Sequence, residues 1–420
     1  PKTLGDLSLT EEGKITIETE AKLTVNNFVI KSTMGAGQSG QVLGVNKTNL
    51  FITGEAYFDV TLGANGTNTQ WHAFAVPFNV DALNGIYDLD DNKLTNEVNY
   101  AIMSYHGDIR AEGKYGWAKY RGIMNPGVFY IMATDGYRTT YRMKMDGGFS
   151  YAENNISVTY YTGAGQTTDA GWNGIANNQL NYVSVDAPVQ VLNPVSYTFV
   201  PMTASSTNFT VGTPFFYQAD ATRTIDLTAP NASENYAPRR VGAAEIKDVN
   251  VMLSNNNYTD HLYLSATDEA TNEYQIGRDL VKMTMTNTPA VPQIFAEAYG
   301  NKLCMVDAPM VNDEATYVLN LYAPAAGEYT IGAAQVEGYE IFLTKDGNVI
   351  WNLSMSNATI ELNKGNNTGY GITIKQSHKV TTDAENAFGD SDKVQKFIFN
   401  DNLYIIRNSQ VFDAQGKLVK

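Results

Sequence analysis

Apolar and polar positions alternate along much of this chain. From Tyr137 to Met145, the residues Tyr137, Thr139, Tyr141, Met143 and Met145 fall on one side, and Arg138, Thr140, Arg142 and Lys144 on the other. A period of two predicts a half-buried antiparallel strand with a solvated basic face. Ile156, Val158 and Tyr160 repeat the pattern, as do Tyr317, Leu319 and Leu321 against Val318, Asn320 and Tyr322. The runs Ile341-Phe-Leu343 and Val349-Ile-Trp-Asn-Leu353 flank Lys345-Asp-Gly-Asn348. Asp-Gly accepts the positive φ of primed turns, so this segment predicts a hairpin. Ile360 and Leu362 are expected to pair with Tyr370, Ile372 and Ile374 across a second polar turn. Short strands at turn-marked intervals imply sandwiches, because a second sheet must cover one face of the first.

Residues 1–64 carry shorter strands at closer intervals: Leu7-Ser-Leu9, Lys14-Ile-Thr-Ile17, Leu23-Thr-Val25, Phe28-Val-Ile30, Leu50-Phe-Ile52 and Tyr57-Phe-Asp-Val60. They read either as a small sheet or as a few rungs that continue or cap a β-solenoid, although no fixed repeat length is sustained. Residues 203–238 turn rich in Ser, Thr, Asn, Ala and Pro and end Tyr-Ala-Pro-Arg-Arg, which places a boundary near 238. Residues 376–396 are polar and read as a linker. Beyond them, Phe397-Ile-Phe, Leu403-Tyr-Ile-Ile and Gln410-Val-Phe make three short strands with too little apolar surface for a core of their own. The expected fold is all-β: a small β or solenoid-like region at 1–64, antiparallel β-sandwich modules at 65–238 and 239–376, and a linker with a short β-hairpin tail at 377–420.

Composition narrows the function. A length of 420 residues suggests about three domains, each able to bury a core. The formal net charge of −15 repels phosphate backbones, which argues against nucleic acid as a partner. The single cysteine, Cys304, sits in Lys-Leu-Cys-Met-Val, has no internal disulfide partner, and reads as a buried small hydrophobe. No run approaches the roughly 18 apolar residues that a membrane-spanning helix needs. The opening Pro-Lys-Thr-Leu-Gly-Asp reads as a mature or trimmed start, compatible with a removed signal.

Several ordered motifs carry a resemblance. Trp71-His-Ala-Phe-Ala-Val-Pro-Phe78, Ser104-Tyr-His-Gly, Gly116-Trp-Ala, Asn125-Pro-Gly-Val-Phe-Tyr-Ile131, Gly171-Trp-Asn-Gly-Ile-Ala-Asn and Pro214-Phe-Phe-Tyr-Gln follow one another in the first half. Thr259-Asp-His-Leu-Tyr-Leu, then Asp268-Glu-Ala-Thr-Asn-Glu-Tyr-Gln-Ile-Gly-Arg-Asp279, Gly327-Glu-Tyr-Thr-Ile331 and the closing Leu-Tyr-Ile-Ile-Arg-Asn-Ser-Gln-Val-Phe-Asp occupy the second. Together these resemble the β-sandwich modules and C-terminal sorting tail of Bacteroidetes secreted and cell-surface proteins. Asn177-Asn178-Gln179 stands where that motif often ends Asn-Pro-Tyr, and the tail is shorter than a full sorting domain. The resemblance implies a secreted or outer-surface location, export by the type IX route, and adhesin-like or accessory roles. It does not assign an activity.

Chemistry is sparse. His72, His106, His261 and His378 form no close cluster with cysteine or with one another, so a conventional zinc site has no pattern behind it. His72 and His261 fall in strands on the face opposite the main apolar residues. Gly37-Gln-Ser-Gly-Gln is one position off a nucleophile elbow. Acidic pairs such as Asp268-Glu269 could serve a glycoside hydrolase only at a suitable separation across a cleft. Asp88-Leu-Asp90-Asp91-Asn92 offers calcium four oxygen-bearing side chains in one turn, without EF-hand spacing. Tyr105, His106, Arg110, Tyr115, Trp117, Tyr120 and Arg121 form the best binding candidate. Aromatic faces stack on sugars or peptide groups and Arg supplies forked donors, with Trp117 capping the core as the alternative. The reading is a non-catalytic binding or scaffold protein with a host or bacterial surface glycan or protein as partner. A polysaccharide-binding accessory protein comes second and a glycoside hydrolase third.

Overall fold

The computed structural model describes residues 1–34, 37–62, 71–185, 187–193, 198–202, 209–228, 246–283, 291–376, 395–399, 402–407, 410–413 and 417–419. The fold is nearly all β. Two compact units divide it, Pro1–Lys375 and Gln376–Lys420.

The N-terminal strands stack in parallel. Lys2–Leu4, Leu23–Val25 and Leu50–Ile52 form one ladder. Leu7–Leu9, Phe28–Thr33 and Ala56–Thr61 form a second. Lys14–Thr16 and Gln41–Leu43 make a third. The second ladder stacks an apolar column, with Leu9 over Ile30 and Ile30 over Phe58, all buried. Parallel ladders on several sides with columns between them are the geometry of solenoid rungs.

One sheet and one core take residues from both sides of positions 63–70. Ala56–Thr61 also pairs antiparallel with Thr140–Lys144, which in turn takes up Ile86–Tyr87. One core cluster runs from Leu9 and Phe28 through Phe78, Tyr130 and Tyr141 to Val211. The boundary expected at 64 and 65 lies outside the described residues, and hydrogen bonds and packing join the described residues on either side of it. Within the predicted Tyr137–Met145 strand, Tyr141, Met143 and Met145 are buried as the alternation requires, but Tyr137 is 87% exposed. The strand begins only at Thr140, after a turn with Gly136 at φ 75°.

The first sandwich follows. Trp71–Phe74, Tyr130–Thr134, Tyr100–Tyr105 and Trp117–Lys119 make one sheet, in that order. Trp172–Ala176, Pro214–Gln218, Val189–Leu192 and Phe199–Met202 make another. Phe129, Ile131, Trp172 and Phe216 are buried together between them. Phe215 and Tyr217 point the other way, into a cluster with Val158, Val185 and Leu227 that the Asn155–Val158, Arg223–Thr228 and Ser184–Val185 strands close. Gly127, at φ 81°, turns the chain into the buried Phe129-Tyr130 pair.

Residues 246–376 form an 11-stranded sheet around one core that includes Val251, Leu264, Leu303, Leu319, Ile341 and Ile372. The Asp-Gly hairpin forms: Tyr339–Lys345 pairs with Asn348–Asn352, with Asp346 at φ 50° and Gly347 at φ 80°. Ile360 and Leu362 do not pair with Tyr370, Ile372 and Ile374. Ala358–Leu362 instead pairs with Gly327–Ala333, while Gly365–Gln376 pairs with Glu314–Ala323. After Leu362 the chain crosses from one end of the sheet toward the other, because both faces of the core need covering.

The boundary expected near 238 lies outside the described residues, but the two sandwiches share a core. Leu280, Cys304 and Met305 from the second are buried among Trp172, Phe199 and Phe216 of the first. Gln190 stitches the seam, donating to the Val281 carbonyl at 2.7 Å and accepting from the Met283 N–H at 3.0 Å. In the second unit, Gln395–Phe399, Asn402–Arg407 and Gln410–Asp413 form an antiparallel meander. Most of the expected linker lies outside the described residues.

Candidate functional site

The seven residues proposed as a recognition surface do not face one way. Tyr105 and Trp117 are cross-strand partners and turn inward. Trp117 meets Tyr105 edge-on at 5.2 Å, Phe129 at 5.4 Å and Phe216 at 5.9 Å, so its ring belongs to the sandwich core. The Tyr105 hydroxyl is buried, and burial raises its pKa far above the ordinary phenol value. Arg110 donates from Nε to Asp169 at 2.7 Å, and His106 Nε2 lies 3.0 Å from the Ser104 hydroxyl. At the far end, Tyr120 donates to the Ile123 carbonyl, and Arg121 pairs with Glu97 at 2.6 Å. Tyr115 stands out at 74% exposed. The aromatic platform of the sequence reading is therefore mostly consumed by packing.

Asp88–Asn92 is a hydrogen-bonded turn. Asp88 Oδ1 accepts from the backbone N–H groups of Asp90 and Asn92 at 3.0 and 2.9 Å, and the Asn92 side chain donates to the same carboxylate. These donors hold the Asp88 carboxyl below its usual pKa range. Asp91, at φ 63°, turns its carboxylate to Arg142 at 2.8 Å. The oxygens thus satisfy an Asx turn and an ion pair rather than converging on a common point, and calcium does not fit them. Among the described residues, no group of three or more His, Cys, Asp or Glu is placed to hold a metal.

His72 is buried rather than solvent-facing, and burial lowers its pKa. His261 is half-buried with Nδ1 3.1 Å from Asn250 Oδ1. His378 lies outside the described residues. Ser39 of the elbow-like Gly37–Gln41 segment is buried, and its hydroxyl accepts from the Val211 N–H. Asp268 is exposed, and Glu269 pairs with Arg278. Cys304 is fully buried in the seam, and burial pushes its thiol up to about 12.

Two clefts open on the first sandwich. One of about 360 Å³ is lined by Tyr105, Asn155, Tyr161, Asn173 and Asn178. The Asn173 amide is occupied by the backbone of Thr159 and Gly171, and that of Asn178 by Glu153. The other, about 340 Å³, has Lys93, Asn96, Glu97 and Arg121 in its wall.

The largest departure from the pleat rule is at the Asp-Gly hairpin. Val349, Ile350 and Trp351 are all exposed, Trp351 by 45%, and the following Met355 by 81%. A register shift between Leu343 and Thr344 leaves Ile350 outside the ladder and interrupts the in–out alternation there. Asn348–Asn352 ends the sheet, with no described strand on its other side. It carries no charge of the kind that usually guards such an edge. Three consecutive apolar residues after Asp-Gly were the available signal, read in sequence only as a strand.

Sequence reasoning also missed a buried acidic network. Asp279 accepts from the N–H groups of Asp307 and Gln275, while Asp307 accepts from Thr267 and Arg278. Burial outweighs those donors and pushes Asp279 up to about 6. Comparisons with protein-family models, with curated proteins and with solved structures find no match to this chain.

Proposed function

We propose that this chain is a non-catalytic binding or scaffold protein of the bacterial exterior, adhesin-like, which engages another protein through the Asn348–Asn352 edge. The observation that carries the reading is the uncharged, exposed run of Val349, Ile350 and Trp351 on an edge strand, with exposed Met355 in the turn just after it. Such a patch left bare invites aggregation, and patches of this kind mark interaction sites. Its chemistry fits a partner protein with an apolar, uncharged surface. The exterior location, and a sorting or docking role for residues 377–420, rest on the resemblance to Bacteroidetes surface proteins. A second reading, a polysaccharide-binding accessory role, is favoured only by the cleft beside Tyr105 and Asn173.

The test is an array of purified host matrix proteins and glycans probed with the wild-type chain and with a Trp351→Ser, Met355→Ser variant. The expected result is a defined protein ligand whose signal falls at least about tenfold in the variant, equivalent to about 1.4 kcal/mol. A protein signal unchanged by the substitutions removes this edge from the reading. Binding to glycans alone, unaffected by the edge substitutions, favours the cleft. For the tail, fusion of residues 340–420 to a reporter is expected to change its export; no change overturns the sorting role.

A further inference from the structure

Asp260 and Lys282 form the most deeply buried ion pair among the described residues. Their side chains are 0% and 2% exposed, with Lys282 Nζ 2.5 Å from Asp260 Oδ2. Asp260 shares the inward face of the Thr259–Ala266 strand with Leu262 and Leu264. Lys282 directly follows the Leu280–Val281 strand, and both strands pair with Asn301–Ala308. The Ile294 N–H also donates to Asp260 Oδ2, at 2.7 Å. Asp260 Oδ1, by contrast, is buried with no hydrogen-bond partner.

As an ion pair this arrangement is costly. Two charges are withdrawn from water, and one carboxylate oxygen has nothing to replace its hydration. Packing alone explains the burial but not why an acid and an amine should be placed in contact there.

We propose that Lys282 and Asp260 condense into an intramolecular amide, a covalent cross-link between their side chains. The ammonium first passes a proton to the carboxylate, giving a neutral amine and a carboxylic acid. The amine lone pair then attacks Asp260 Cγ and forms the new C–N bond. The Ile294 N–H holds Oδ2, the oxygen that remains as the amide carbonyl, as charge gathers on it. The Cγ–Oδ1 bond breaks, and Oδ1 departs with two protons from nitrogen as water. One ammonium and one carboxylate become one amide and one water, with no oxidant or co-reactant. The atom expelled is the one that lacked a partner, and both buried charges disappear. Hydrogen-bond contact between the amine and the carboxylate, held in place by burial, supplies the effective concentration such a step requires. The link would close the segment between Asp260 and Lys282 into a covalent loop, in a chain whose lone cysteine can make no internal disulfide.

The experiment is the intact mass of the purified full-length chain, measured after denaturation, with a tryptic map. The expected mass is lighter than the sequence mass by one water. Cleavage after Lys282 should be lost, and one branched peptide should join Lys282 to Asp260. Lys282→Arg and Asp260→Ala should each restore the mass expected for their own sequence. A wild-type chain at its full sequence mass overturns the proposal, as does a deficit of water that maps to any other residue. The wild-type measurement decides the matter even where a variant fails to fold.

Discussion

Trp117 shows how one side chain can be misassigned by its neighbours in sequence. Tyr115, Tyr120 and Arg121 make it look like part of an exposed platform, yet its ring lies edge-on to Tyr105, Phe129 and Phe216. Trp117→Ala is expected to lower stability by about 2–4 kcal/mol in urea unfolding, because it deletes a half-buried aromatic from a packed cluster. A loss below about 0.5 kcal/mol, typical of surface positions, would return Trp117 to the surface. Asp279 makes a different kind of prediction. Its folded pKa of about 6 stands above the ordinary carboxyl value, so the unfolded chain releases this proton first as pH rises. Its contribution to stability therefore declines between about pH 4 and pH 6 and is constant above that, by up to about 3 kcal/mol. Asp279→Asn should remove that decline from the stability–pH curve, and an unchanged slope would assign it elsewhere. Neither Asp279 nor the Asp260–Lys282 contact was singled out in sequence. Asp260 did carry a signal, as an acid in phase with Leu262 and Leu264 on an apolar face.

At the level of elements, legibility followed locality. The Asp346-Gly347 turn was readable because two adjacent residues supply its positive φ angles, and no distant contact is needed. Burial of Tyr317, Leu319 and Leu321 was readable for the same reason. The N-terminal rungs hid their period. Lys2 to Leu23 and Leu7 to Phe28 are steps of 21 residues, but Lys14 to Gln41 is 27, as is Leu23 to Leu50, and Phe28 to Ala56 is 28. The excess between the first two rungs arises near Gln38–Ser39, where the chain doubles back to pair with Phe28–Thr33. An insertion inside a rung leaves the stacking intact while erasing the spacing a reader would count. Ala358–Leu362 was misjudged because nearness in sequence favoured a hairpin, whereas its partner, Gly327–Ala333, is decided by long-range pairing. The Ile350 bulge hid the exposed edge in the same way, since the pleat rule presumes a register without interruption.

On the scale of the whole molecule, Pro1–Lys375 is one compact unit that takes in the stretches read in sequence as a small β region and two modules. Composition marks where a chain loosens but not where side chains from two such segments meet. The seam of Trp172, Phe199, Phe216, Leu280, Cys304 and Met305 joins residues of the two segments between 64 and 133 positions apart, and no local pattern reports it. Burial of Cys304 in that seam has a further consequence. The one sulfhydryl of this chain is withdrawn from solvent and burial favours its protonated form, so glutathione and disulfide catalysts have no thiol within reach while the fold is closed. Thiol–disulfide exchange therefore has no foothold on the folded chain, and Cys304 stays a thiol in reducing and oxidising surroundings alike.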